Sequence, residues 1–286
     1  MGKRIVLFND LPGYGKVALA AMVPLFSRMG HFPYQVPTAV VSNTLDFGKF
    51  RIQDMTDYMR DTIKVWDELG FDPDCICTGF VLSEEQVELI GDYIRSRKPR
   101  INEIQNVDNG RLVMVDPIMA DGGKLYNGIG MERVAAMRKL VSYSDVMVPN
   151  MTEAGFLTGI CPGRERASAS ELRELVDGLH KLSGKSVVIT SAQDSETDEH
   201  LVCGYDHKSG QYFRVPFTFL SVRVAGSGDI FSTVMTGKLL NGESLEAAVR
   251  EAVRVLTTLI RENQSHLDEY KGILIERYWE LLDENN

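Results

Sequence analysis

A surplus of basic residues is what this sequence most plainly lacks. Its 31 Lys and Arg stand against 40 Asp and Glu, a formal net charge of -9, whereas a nucleic-acid surface needs a basic face to neutralise phosphates. A small anionic ligand is still compatible with that charge if local donors and a metal offset the field. Long apolar runs are also missing, and none approaches a membrane span. The amino terminus carries Lys3-Arg4 but only four apolar residues (5–8) before Asn9-Asp10, too few for a signal-peptide core. A cytoplasmic protein is expected. There is no linker, repeat or low-complexity segment, so one domain over residues 1–286 is expected.

Thiols and imidazoles are few. The five histidines are scattered without zinc spacing. Of four cysteines, only Cys75 and Cys77 are close, inside an apolar run. The expectation is that they leave opposite faces of a strand, which excludes a disulfide or metal clip, and that all four are buried free thiols.

What is present is a rhythm of short apolar runs separated by amphipathic stretches: residues 5–8, 36–41, 75–77, 112–115, 146–148 and 187–189. Continuous apolar strands alternating with helices predict a parallel sheet covered on both faces, an α/β fold. Ser83-Glu84-Glu85-Gln86 is a capping-box signature, Ser168 and Ser170 open a helix ending near Gly184, and helices are expected over 230–240, 243–261 and 270–282. Residues 206–210 look like a hairpin turn, giving an antiparallel edge.

Several strand ends carry polar residues. Gly226-Ser227-Gly228-Asp229 runs straight into a helix-like segment. Glycines let backbone N–H groups turn toward a ligand, and a helix start adds partial positive charge, an arrangement suited to an anion. Asp229, on the first turn, is placed to accept a proton from an attacking hydroxyl, although it also suits a plain helix-start residue. Asp116 and Asp121 lie on a Gly-rich loop after residues 112–115, where two carboxylates suit Mg²⁺. Asn150 and Glu153 have capping-box spacing, compatible with a metal or phosphate role, and Thr190-Ser191 bring hydroxyls to the same edge. The loop 9–16 is not a P-loop: Asp10 and Val17 stand where Gly and Ser or Thr are required.

Taken in order, Asp116-Pro-Ile-Met-Ala-Asp121, Pro149-Asn150-x-x-Glu153 and Gly226-Ser-Gly-Asp229, with Gly13-Tyr14-Gly15, Ser42-Asn43 and Thr78-Gly79-Phe80, resemble the pyridoxal kinase family of ribokinase-like vitamin kinases over about residues 5–240. The resemblance implies a three-layer α/β/α sandwich with a central, mostly parallel sheet. It also implies ATP-dependent phosphorylation of the 5'-hydroxyl of pyridoxal, pyridoxamine or pyridoxine. Asp229 would be the base and Gly226, Ser227 and Gly228 the anion hole. Asp116, Asn150, Glu153, Thr190 and Ser191 would serve ATP, with Asp121 and Glu153 arranging Mg²⁺ largely through water and residues 121–128 closing over the phosphates. Substrate would meet Asn9, Asp10, Asn43, Thr44, Phe80 and Asp229. A homodimer is implied, and a monovalent cation beside Mg²⁺ is left open.

Three places depart from the family pattern, all on the substrate side. Thr44-Leu45 replace His-Thr, Phe80 replaces Tyr, and Asn9 or Asp10 stands where Ser often contacts the ring. The nearest alternative is a hydroxymethylpyrimidine (phosphate) kinase, which typically has a longer Gly-rich amino-terminal loop and often Cys in place of Asp229. A non-catalytic vitamin- or nucleotide-binding protein would have no use for Asp229 as a base.

Overall fold

The computed structural model describes residues 2–44, 47–97, 110–126, 129–222, 224–265 and 272–283. The chain begins with β1 (Arg4–Pro12), α1 (Ala18–Arg28), β2 (Phe32–Val41), β3 (Ile52–Asp54), α2 (Thr56–Glu68) and β4 (Cys75–Thr78). It continues through α3 (Glu84–Ser96), β5 (Leu112–Val115) and a hairpin of β6 (Ala120–Asp121) and β7 (Lys124–Leu125). Next come α4 (Met131–Val141), β8 (Val146–Met147), α5 (Met151–Thr158), β9 (Arg166–Ala167) and α6 (Ala169–Ser183). Strands β10 (Ser186–Asp194), β11 (His200–Asp206) and β12 (Gln211–Pro216) precede α7 (Ser227–Leu240) and α8 (Leu245–Asn263).

These elements form two compact units, Met1–Leu82 with Phe219–Asn286, and Ser83–Thr218. In the first, the strand order is β4-β1-β2-β3, with β1 parallel to β4 and β2, and β3 antiparallel at the edge. Helix α7 is buried from Ile230 through Leu240, including the polar Ser232, Thr233, Thr236 and Lys238, and it packs against α1 and α8. In the second unit the order is β12-β11-β10-β8-β5. There β8 is parallel to β5 and β10, while β10, β11 and β12 are antiparallel.

All six apolar runs became strands, and β4, β5 and β8 are buried at every position, as strands covered on both faces require. The hairpin through 206–210 is there as expected. Helix boundaries moved. Ser83 caps α3 by accepting from Gln86 N, Ser168 and Glu171 form a reciprocal box on α6, and Ser244 places the start of α8 at Leu245.

Two expectations needed correction. Cys75 and Cys77 lie on the same face, with their sulfurs 3.6 Å apart. The strand period is two, so positions i and i+2 necessarily share a face. Both are free and buried, as is Cys203, but Cys161 is partly exposed. The expected terminal helix over 270–282 is instead two 3-10 turns, Ile275–Arg277 and Trp279–Leu282, and residues 270 and 271 lie outside the described residues. Here Ile273 and Ile275 are both buried, a spacing of two that a helix cannot place on one side, and Leu274 N is held by Asn263 Oδ1. Among the described residues no helix is long and apolar enough to cross a membrane.

Candidate active site

In the first unit, the polar residues gather at the carboxyl ends of parallel strands β1, β2 and β4, the edge where open α/β sheets bind ligands. Asp229 enters from the first turn of α7. Its Oδ1 accepts from Asn9 Nδ2 at 3.1 Å and its Oδ2 from Ala18 N at 2.8 Å. Burial holds the carboxyl above the usual range, and these two donors pull against that shift. A carboxylate so held is a better proton acceptor than a solvated one.

The donor Ala18 could not have been picked from the sequence, since any residue carries an N–H. It has a φ of +46°, a left-handed conformation that costs a non-glycine residue about 1–2 kcal/mol. That strain turns its N–H onto Asp229, and strain of this kind collects at functional sites. Gly226 caps α7 with a φ of +81°. A Cβ there would lie 2.6 Å from Lys16 O, so the turn leading to Ala18 rests directly on Gly226. The backbone N–H groups of Ser227 and Gly228 open the helix, where intrahelical partners are lacking. We therefore expect Gly226→Ala to displace the 16–18 turn and lower kcat by about 10–10²-fold, the scale of a misplaced reacting group. A steady-state assay on the folded variant checks this, and parent-like kcat would show that the close packing is irrelevant to turnover.

Asn9 is the hub of this unit. It is 1% exposed. Beyond Asp229, its Nδ2 donates to Met22 Sδ at 3.3 Å, while its Oδ1 accepts from Asp10 N at 3.0 Å and Phe80 N at 2.8 Å. With its amide fully engaged, Asn9 positions other groups. Gly79 makes room for it, because a Cβ there would lie about 2.5 Å from the Asn9 amide. Phe80, half-buried, is also fixed by its carbonyl, which accepts from Thr38 Oγ1 at 2.6 Å.

Asn43 closes its own loop. Its Nδ2 donates to Thr44 O and Lys49 O, and its Oδ1 accepts from Ser42 Oγ. Thr44 is buried against Gly15, and its Oγ1 has no partner among the described residues. Leu45 lies outside the described residues. Asp10, half-buried, feels Asp229 as a like charge. Burial first and that repulsion second push its carboxyl up to about 7.

In the second unit, β6 and β7 turn through Gly122 and Gly123, both with positive φ, the backbone a two-residue hairpin of this twist demands. Glu153 anchors the hairpin. It is 2% exposed, its Oε1 accepts from Met119 N and Ala120 N, and its Oε2 accepts from Asn150 N. Asn150 completes the reciprocal cap of α5 and also donates to Ala120 O. Gly123 N donates to Thr152 Oγ1. Burial pushes the Glu153 carboxyl up to about 8, opposed by the three backbone donors and aided by Asp121.

Asp121 is exposed on the hairpin, and Asp116 is buried at the end of β5. Thr190 and Ser191 sit at a bulge where β10 leaves its register, Thr190 bridging Asn150 and Ser191 exposed with a φ of +54°. Residues 127 and 128 of the expected flap lie outside the described residues. Among the described residues, no group of three acidic, His or Cys side chains forms a metal cage. What is present fits Mg²⁺ carried on phosphates, which needs only one or two carboxylates, with Asp121 exposed to reach it and Glu153 holding the hairpin.

A family model described as phosphomethylpyrimidine kinase matches residues 20–274. A Bordetella avium (strain 197N) relative named pyridoxine/pyridoxal/pyridoxamine kinase is 30% identical over 250 residues, covering 85% of this chain and 79% of its own. Among solved structures, a Bacteroides thetaiotaomicron VPI-5482 protein, described as a candidate phosphomethylpyrimidine kinase and crystallised with pyridoxal, gives a TM-score of 0.90 at 32% identity. That match covers 99% of this chain and 96% of the other. Pyridoxal kinase from Lactobacillus plantarum gives 0.85 at 24% identity, covering 98% and 96%. The fold is the ribokinase-like α/β type with a mostly parallel sheet.

Proposed function

Because the chain belongs to the phosphomethylpyrimidine kinase family, we propose that it transfers the γ-phosphoryl group of ATP to the 5'-hydroxyl of a vitamin B6 form. The observation that carries this reading is Asp229: a carboxyl lifted by burial, aimed by Ala18 N–H and the Asn9 amide, on the first turn of a helix opened by Gly226-Ser227-Gly228. Asp229 takes the proton of the primary alcohol as its oxygen attacks the γ-phosphorus, and ADP carries away the bonding pair. The open N–H groups of α7 stabilise the negative charge on the transferring group. Phe80 offers an apolar face to the planar ring, and Asp10 and Thr44 offer polar groups to its substituents. Asp116, Asn150, Thr190 and Ser191 serve the nucleotide, and Mg²⁺ on its phosphates supplies charge neutralisation, reached by Asp121.

The ring identity is supported by the Bordetella avium relative's name and by the pyridoxal in the Bacteroides structure. A cytoplasmic homodimer completes the reading, and a monovalent cation beside Mg²⁺ stays open. The test is an ADP-release assay with Mg-ATP and a panel of primary alcohols. Turnover of pyridoxal, pyridoxine or pyridoxamine above ring-stripped alcohols supports it. ATP turnover confined to hydroxymethylpyrimidine overturns the vitamin B6 assignment.

A further inference from the structure

Asp10 is unusual for a group beside a catalytic carboxylate. It follows Asn9 at the end of β1, its backbone N–H is fixed on Asn9 Oδ1, and the same Asn9 side chain holds Asp229. Two acidic groups are thus presented from one hub. Among the described residues no Lys, Arg or His pairs with Asp10, and Lys16, six positions along the chain, is paired with Glu276. Asp229 has two donors, whereas the half-buried Asp10 carboxyl has only a backbone N–H to set against burial and the repulsion of its neighbour. A fold that places a carboxyl without a counter-cation in a partly desolvated site gains most from a ligand that brings the missing positive charge, because charge-assisted hydrogen bonds are the strong ones.

On the proposed function, which this inference takes as its premise, the ring geometry says where such a charge would sit. Asp229 must lie against the 5-hydroxymethyl group to take its proton. The substituent at the neighbouring ring carbon, C4, then projects beside the same carboxylate. That substituent is what distinguishes the vitamers: an alcohol in pyridoxine, an aldehyde in pyridoxal, a primary ammonium in pyridoxamine. We propose that Asp10 is a specificity-determining residue that selects the vitamer bearing a primary ammonium at C4. A neutral substituent leaves the Asp10–Asp229 repulsion in place, whereas an ammonium relieves it, so discrimination comes from a penalty on the wrong ligand as much as from a gain on the right one.

The experiment is a competition between pyridoxamine and pyridoxine in one reaction with Mg-ATP, for the parent, Asp10→Asn and Asp10→Ser. We expect the parent to favour pyridoxamine at least about tenfold in kcat/KM, and that ratio to fall about tenfold or more in both variants, the scale of one charge-assisted hydrogen bond. Calorimetric Kd values for the two vitamers on the parent enzyme without ATP should show the same order, a readout that does not depend on the variants folding. A purely structural role for Asp10 would depress both substrates together and leave the ratio unmoved, overturning the proposal. A parent that binds and turns over pyridoxine as well as pyridoxamine would do the same. Absence of turnover on every vitamin B6 form would instead remove the functional premise.

Discussion

Asp229→Asn is expected to lower kcat by about 10²–10⁴-fold, the range for loss of a positioned general base, with Mg-ATP affinity nearly unchanged. The amide preserves the shape of the carboxyl and can still accept from Ala18 N through its oxygen, so α7 keeps that contact while the bond from Asn9 Nδ2 is lost to a donor facing a donor. What it cannot do is take a proton. The pH profile gives a second signature. A base must be ionised to act, and burial holds Asp229 above the usual carboxylate range. The parent should therefore lose kcat on acidification at a pH above that of an ordinary aspartate, and the residual activity of the variant should lack that limb. Single-turnover measurements against pH check both points. Full turnover by Asp229→Asn would leave the site without its base.

Glu153→Ala is expected to cause the largest loss of stability. Three backbone N–H groups, of Met119, Ala120 and Asn150, end on this one buried carboxyl. Each orphaned buried donor costs about 1–3 kcal/mol, so the total is several kcal/mol. The conservative Glu153→Gln is milder but not silent, because one of its two ends is a donor facing donors. It should also change the pH dependence of stability. The folded group, raised to about 8 from 4.5, binds a proton that the unfolded chain gives up sooner. Its contribution is therefore full below about pH 4.5 and is lost as pH rises toward about 8. Denaturation of parent and Glu153→Gln across that window should show a slope in the parent that the variant lacks. The same substitution should raise the Mg²⁺ requirement, through a hairpin that no longer presents Asp121 firmly. Coincident Mg²⁺ titrations would restrict Glu153 to capping α5.

These two cases show what the sequence can and cannot announce. Asp229 and Glu153 were both legible, the first from Gly-Ser-Gly-Asp before a helix, the second from capping-box spacing. For Glu153 the spacing described its bond to Asn150 N but not the two bonds that tie it to the Met119–Ala120 segment, because those partners are more than thirty positions away. Continuous apolar runs announced β4, β5 and β8, whose every residue is buried, whereas β3, exposed along its length at an edge, left no such mark. The terminal turns look helical by composition, yet the burial of Ile273 and Ile275 overrides propensity. Asn9 and Asn43 were read as groups that face substrate. Their amides turn out to be engaged within the protein, and only a hydrogen-bond inventory reveals that. Ala18 shows the limit most sharply: its contribution lies in a backbone conformation that no residue type encodes.

The central claim is that the acceptor is the 5'-hydroxyl of a vitamin B6 ring and that the donor is ATP. The direct measurement is mass-spectrometric identification of the phosphorylated product from one reaction containing Mg-ATP with equimolar pyridoxine, pyridoxal, pyridoxamine and hydroxymethylpyrimidine. The account predicts vitamin B6 5'-phosphates as the dominant early products, lost in the Asp229→Asn enzyme. Accumulation of the pyrimidine phosphate, with the vitamin B6 forms left unmodified, would contradict it.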